Sequence, residues 1–311
     1  MTANRLWLKN YPVRWNLDYP QTSLYDYITQ SAKKNLDLVA LVFIGSEITF
    51  REMLENIERM AAALHDLGVK KGDRVALMLP NCPQYVYTYY ACMKLGAIVV
   101  QMNPLYTPRE VEFILNDSGA KIFCGVDAVF NSFHEVRDQV PAVEHVIVGR
   151  LLWTEVTGDN IWYDELLQKN LPAAPAAEID PLKDVAVFQY TGGTTGFPKA
   201  VMLSHYNLVS NVIQIKEWLK EWIDNKFAGG ISQQYGLAVL PFFHSYGMTC
   251  VMNAGLTLPS GQVLIPRFDL ELLLEMIKQY RPAIFPAVPT VYTAIANHPE
   301  ADKYNLDSVE I

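Results

Sequence analysis

Between Gln189 and His205 the chain reads QYTGGTTGFPKAVMLSH, with three glycines and three threonines packed into the six residues Thr191–Gly196 and a cation, Lys199, shortly after. Gly192, Gly193 and Gly196 permit backbone conformations closed to other residues and let a ligand approach the main chain closely. Successive backbone N–H groups in such a turn form an anion-binding concavity. Thr191, Thr194 and Thr195 add hydroxyl donors, and Lys199 adds a mobile positive charge. These are the parts of a polyphosphate cradle. The familiar mononucleotide loop, Gly-x-x-x-x-Gly-Lys-[Ser/Thr], opens straight into a helix. Here Pro198 precedes Lys199, Ala200 follows it and a strand comes next, which excludes that fold. A glycine turn with a purely structural role is the bland alternative; the added Thr-Thr and Pro-Lys pairs weigh against it.

A second candidate is His244, which follows the apolar run AVLPFF. A single histidine in an apolar stretch is more often a satisfied core residue than a catalyst. This one sits at the carboxyl end of a strand, where open α/β sheets hold their ligands, and that place suits an orienting donor rather than a nucleophile. The six histidines and four cysteines show no metal-ligand spacing, so a structural zinc is not expected. His205 reads as the first residue of a capped helix.

The elements that must position these residues alternate along the chain. DVAVFQY (184–190) reads as a buried strand, AVML (200–203) as a second short strand and Ser204 as the cap of the helix starting at His205, so the glycine-rich loop joins two strands. Upstream, LVALVFI (38–44) is a β-rich run, and Thr49-Phe50-Arg51-Glu52 has the form of a capping box opening a helix that Gly68 stops. RVALMLP (74–80) is a short strand, Pro83 to Leu95 a helix closed by Gly96, and AIVVQMN another strand. Thr107-Pro108-Arg109-Glu110 caps and starts the next helix. Strand, helix, strand, helix predicts parallel pairing through right-handed crossovers. The segment GLAVLPFFHSYGMTCVMNAGLTLPSGQVLIP repeats the outline of RVALMLPNCPQYVYTYYACMKLGAIVVQMNP: strand, proline, helix, glycine, strand. The expectation is an α/β protein of two related βα subdomains, 1–180 and 181–311, with mainly parallel sheets flanked by helices. LPAAPAAEIDP (171–181) is read as the join.

Composition narrows the class. Half of the 311 residues are hydrophobic and 19% are charged, enough for a sizeable core. A net charge of −8 repels polyanions, so nucleic acid is not an expected partner. Four scattered cysteines without a Cys-x-x-Cys pair, and no secretory leader, point to the reducing cytoplasm. From Phe227 to Pro266 there is no Asp, Glu, Lys or Arg, yet prolines, glycines and His244 interrupt the run, so a buried sheet with its helix is expected in place of a membrane span. The amino-terminal LWLKNYPVRWNLDYP mixes Trp7, Tyr11 and Trp15 with Lys9 and Arg14. It suits either an arm packed on the domain or a peripheral contact with the inner face of the membrane.

YTGGTTGFPKAVMLSHYNL closely resembles the signature of the adenylate-forming ligases, the superfamily of acyl-CoA synthetases, luciferases and peptide-synthetase adenylation domains. Residues 72–121, LPFFHSYG (240–247) and RPAIFPAVPTVYTAI (281–295) resemble further blocks of its bacterial long-chain fatty acid branch, so the likeness covers nearly the whole chain. Ala200 stands where that family usually has glycine. The resemblance implies a two-step reaction: a fatty acid carboxylate attacks the α-phosphorus of ATP, giving acyl-AMP and pyrophosphate, and the thiol of coenzyme A then displaces AMP. It assigns the loop from Tyr190 to Lys199 to the β- and γ-phosphates, Thr191 to Mg²⁺ and Lys199 to departing pyrophosphate. It places His244 beside the reacting carboxylate and adenylate phosphate, and Met248 at the gate of an acyl tunnel, where simple core packing is the alternative.

The chain ends at Ser308-Val309-Glu310-Ile311, ahead of the aromatic-Gly-x-[Thr/Ser]-Glu block, the ribose-binding aspartate and the small carboxyl-terminal domain that the resemblance calls for. It is therefore read as the front portion of an ATP-dependent long-chain fatty acid:CoA ligase. The alternatives are a non-catalytic acyl- or nucleotide-binding fragment, whose exposed edge could drive homo-oligomerisation, and a ligase for another carboxylic acid.

Overall fold

The computed structural model describes residues 11–14, 16–152, 154–191 and 198–311. The sequence-predicted elements form where local chemistry marks them. After helix α1 (Leu24–Ala32), strands β1 (Val39–Phe43) and β2 (Ser46–Thr49) make a hairpin that feeds α2 (Phe50–Asp66). Thr49 and Glu52 cap α2 reciprocally: the Glu52 N–H donates to Thr49 Oγ1 at 3.2 Å and the Thr49 N–H to Glu52 Oε2 at 2.8 Å. Met53, Ile57, Met60 and Leu64 recur on one helical face and are all buried, each contributing about 1.5–3 kcal/mol of transfer free energy. Strand β3 (Arg74–Met78), α3 (Pro83–Leu95) and β4 (Ile98–Gln101) then form a parallel βαβ unit, with Pro83 opening α3 and Gly96 closing it at φ +67°. α4 (Pro108–Ser118) and β5 (Ile122–Val126) form the next βα repeat, followed by the short α5 (Asn131–His134), β6 (His145–Gly149), β7 (Ile161–Trp162) and α6 (Tyr163–Gln168).

Strands β8 (Val185–Thr191) and β9 (Lys199–Ser204) are an antiparallel pair flanking the glycine-rich loop. Ser204 caps α7 (His205–Trp218), accepting the Asn207 N–H at 3.2 Å. α8 (Lys220–Lys226), β10 (Gln234–Ala238) and β11 (Ser260–Leu264) come next, then α9 (Leu270–Tyr280) and α10 (Pro289–Ala296). The segment between β10 and β11, expected as an ordinary helix, contains a π-helix over Gly247–Asn253. The uncharged 227–266 stretch thus contains a strand–helix–strand unit whose β10, π-helix and β11 are largely buried, while 228–232 and 244–246 are exposed.

Seven strands form one sheet in the order β7-β6-β5-β3-β4-β8-β9, parallel throughout except for β8–β9. The smaller sheet runs β10-β11-β1-β2. Beyond β10 it continues through a bridge to Ile284, and the Phe285 N–H donates to the Ile311 carbonyl at 2.7 Å. Buried alternation on both faces separates three cores. Val75 and Leu77 face α1–α3, Ala76 and Met78 face α4 and α5, and Leu237 and Val263 of the second sheet face α9. The sheets do not follow the expected division at residue 180. β1 pairs with β11, and β8–β9 complete the first sheet, so each sheet draws strands from both sides of that join. The described part of the amino-terminal arm packs along α7: Tyr11 meets Trp218 edge-on, Arg14 pairs with Glu217 at 3.4 Å and Tyr19 accepts from Gln214 at 3.1 Å. Among the described residues no helix is long and apolar enough to cross a membrane.

Candidate functional site

The β8–β9 hairpin sets Thr191 directly opposite Lys199 at its mouth, and both side chains are exposed. The Thr191 hydroxyl donates to the Lys199 carbonyl at 3.4 Å, closing the base of the loop. Gly192, Gly193, Thr194, Thr195 and Gly196 lie outside the described residues. Tyr190, one residue earlier in an alternating strand, faces the other way. Its ring is buried in the core beneath α4 and its hydroxyl donates to Asp117 Oδ2 at 2.6 Å. Burial first, and then the Asp117 carboxylate, hold the phenol proton well above its ordinary range. The Tyr190 side chain therefore anchors β8 to α4, and only its backbone faces the loop.

His244 occupies the turn after β10, exposed at the sheet's carboxyl edge. Its Nδ1 accepts the Tyr246 N–H at 3.3 Å, which assigns the ring proton of the neutral form to Nε2 and leaves that atom as the donor to a ligand. Met248 lies one turn on, its N–H donating to the His244 carbonyl at 2.9 Å. Its side chain is fully buried, with Sδ accepting from Gln101 Nε2 at 3.1 Å. In this structure it packs as a core residue.

Three polar side chains hold the His244 turn, and sequence reasoning passed over all of them. Asn81, 3% exposed at the carboxyl end of β3, donates to the carbonyls of Ala238 (2.8 Å) and Leu240 (3.0 Å) and accepts the Phe242 N–H (2.8 Å). Tyr85 on α3 places its hydroxyl 2.9 Å from the Phe242 carbonyl and against Gln101. Gln189, two residues before Thr191, donates to the Phe243 carbonyl at 3.0 Å. Gln101 and Gln189 are register partners on adjacent parallel strands, so a pair of amides lies beneath the turn. The histidine turn is thereby tied to the strand that carries the phosphate-loop candidate. The signal was present as lone polar residues ending apolar runs, in MLPN, IVVQ and AVFQ. A small slot of about 20 Å³ also lies between α7 and the π-helix, lined by Lys216, Leu219, Cys250, Val251, Leu258 and Gln262 among others.

Residues 28–311 match the family described as AMP-binding enzyme. The chain belongs to that family. Over its full length it is 34% identical to a long-chain-fatty-acid–CoA ligase of Bacillus subtilis, of which it covers 58%. Over 84% of its length it is 34% identical to a 4-coumarate–CoA ligase of Nicotiana tabacum, covering 46% of that protein. A solved long-chain-fatty-acid–CoA ligase from Archaeoglobus fulgidus superposes with a TM-score of 0.78 at 29% identity, covering 93% of this chain and 57% of the other. The chain thus spans about half the length of these relatives. As an AMP-binding enzyme it has the family's adenylate-forming fold, with mostly parallel sheets flanked by helices. Among the described residues no group of three His, Cys, Asp or Glu side chains could hold a metal ion.

Proposed function

We propose that this chain is the front portion of an ATP-dependent long-chain fatty acid:CoA ligase. The observation that carries the reading is the junction of two half-sites: the Thr191–Lys199 hairpin mouth and the His244 turn, linked through Gln189. In the first step a carboxylate oxygen bonds to the α-phosphorus of ATP while the bond to the bridging oxygen of the β-phosphate breaks and pyrophosphate leaves. In the second the thiol sulfur of coenzyme A bonds to the acyl carbon, the acyl–oxygen bond breaks and AMP departs. Such displacements at phosphorus depend mainly on positioning and charge neutralisation.

The loop N–H groups, with Thr194 and Thr195, would hold the terminal phosphates, and Lys199 would balance the charge that grows on pyrophosphate. The His244 Nε2–H would orient the carboxylate and the adenylate phosphate. Thr191 offers one neutral oxygen, which suits Mg²⁺ brought in by the nucleotide's own phosphates, and the ion would neutralise their charge when bound. Met248, in the π-helix one turn after His244, would border the acyl chain.

Acid-dependent ATP–pyrophosphate exchange tests this reading, run on the 311-residue chain and on the longest protein its reading frame encodes, each with palmitate or 4-coumarate. Exchange driven by palmitate and lost in Lys199→Ala supports it. Exchange driven by 4-coumarate alone would reassign the acid, and no exchange in either protein would overturn the ligase reading.

A further inference from the structure

Gln101 and Gln189 are register partners that share one face of the larger sheet, and two residues earlier on the same strands and face the partners are Val99 and Val187, both fully buried. Packing alone would continue that row with apolar side chains, because a buried amide is tolerated only when its hydrogen bonds are made. Neither amide is well supplied. Gln101 takes the Tyr85 hydroxyl on its oxygen, but among the described residues its nitrogen reaches only the Met248 sulfur, at 3.1 Å, and a thioether is a weak acceptor. Gln189 donates to the Phe243 carbonyl at 3.0 Å, which fixes the nitrogen end of its amide, and its Oε1 is buried without a hydrogen-bond partner.

A weakly used donor thus lies beside an unused acceptor on adjacent strands. The pair has two arrangements, with the Gln101 nitrogen either on the Met248 sulfur, as here, or on Gln189 Oε1. In the second, Gln189 accepts one bond while giving another to Phe243, and hydrogen bonds joined in this way strengthen one another. Phe243 immediately precedes His244, and Gln189 lies two residues before Thr191 in β8, so one side chain stands between the two half-sites. We infer that Gln189 is a positioning residue through which phosphate at the Thr191–Lys199 mouth fixes the His244 turn. This rests on the ligase reading above. A phosphate bonded to Thr191 and Lys199 restrains the end of β8, from which the Gln189 side chain extends, and so favours the arrangement that bonds both of its amide ends.

The test is hydrogen exchange at the His244 and Tyr246 amides of the 311-residue chain, with and without saturating Mg·ATP, binding being followed separately by calorimetry. In the unsubstituted chain Mg·ATP should slow exchange at both amides roughly tenfold, the effect of about one hydrogen bond. Gln189→Met keeps the length of the side chain but can neither donate to Phe243 nor accept from Gln101. It should still bind Mg·ATP, because Thr191 and Lys199 remain, and should lose the slowing. Val187→Ala loosens the same face of β8 without touching either amide and should keep the slowing, which separates positioning from general weakening of the strand. Slowing that persists in Gln189→Met, or that is lost equally in Val187→Ala, would overturn the positioning role alone. The unsubstituted chain tests the inference even if the methionine variant misfolds: bound Mg·ATP that leaves exchange at His244 and Tyr246 unchanged would overturn it. Failure of the unsubstituted chain to bind Mg·ATP would overturn the assignment of the hairpin to phosphate, and the positioning role with it.

Discussion

His205 lies six residues after Lys199 and has the opposite surroundings: Lys199 is exposed at the hairpin mouth, whereas His205 is fully buried at the start of α7. Its Nδ1 accepts the Leu24 N–H at 3.2 Å, and its Nε2 is buried with no hydrogen-bond partner. Burial lowers its pKa to about 4, with the Asp184 carboxylate opposing the shift in part. The unfolded chain, with an ordinary histidine pKa of about 6.5, binds more protons than the folded chain between those values. Stability from this residue is therefore present above about pH 6.5 and is lost as the pH falls towards 4. His205→Asn keeps an acceptor for Leu24 and cannot titrate. Urea unfolding at pH 7 and pH 4.5 should show the unsubstituted chain losing roughly 2–3 kcal/mol more than the variant across this window. Equal losses would mean that the ring is charged or solvated in the folded state. At this scale the places of Thr191, Lys199 and His244 were legible, because apolar runs that read as strands lie directly beside each of them in the sequence. The orientation of Tyr190 was harder to read. Its buried hydroxyl depends on Asp117, 73 residues away, which no local pattern reveals.

Between elements the decisive contacts are made by Asn81, Tyr85 and Gln189, each from a different element, on consecutive backbone groups of the His244 turn. Helix caps and the hairpin were readable from sequence because their partners lie within a few residues. The amide pair Gln101–Gln189 was not, because register pairing exists only once β4 and β8 are known to be neighbours. The π-helix was missed for a related reason: its apolar residues fit an ordinary helix, and buried bonds such as Tyr90 to Asn253 at 2.7 Å appear only in the fold. Asn81→Leu would leave the Phe242 N–H and the Leu240 carbonyl without partners, while the Ala238 carbonyl keeps the Ile265 N–H at 3.2 Å. That should cost at least about 2 kcal/mol in urea unfolding and speed hydrogen exchange at Phe242 more than at Val75 in β3. Asn81→Asp, which keeps the acceptor, should preserve much of the Phe242 protection. Unchanged exchange at Phe242 in the leucine variant would show that the turn holds itself.

Across the whole molecule, the alternation of strands and helices revealed the α/β class, while the interleaving of the two sheets across residue 180 was hidden. Strand order follows from which buried faces meet, and β1 pairs with β11 more than 200 residues later. That interleaving places β3, β8 and the turn after β10 at one edge, so the candidate site belongs to the intact chain and to neither half. The net charge of −8 opposes a nucleotide at long range, so binding must come from local donors, with Lys199 foremost among the described residues. Calorimetric titration of Mg·ATP into the unsubstituted chain, Lys199→Ala and Lys183→Ala tests this most directly, because Lys183 is an equally plain cation paired on the surface with Asp180. Losing a charged phosphate contact should weaken binding in Lys199→Ala by about 2 kcal/mol, roughly thirtyfold, with Lys183→Ala indistinguishable from the unsubstituted chain. Equal affinity in all three proteins, or no binding in any, would contradict the assignment of the hairpin to ATP phosphates.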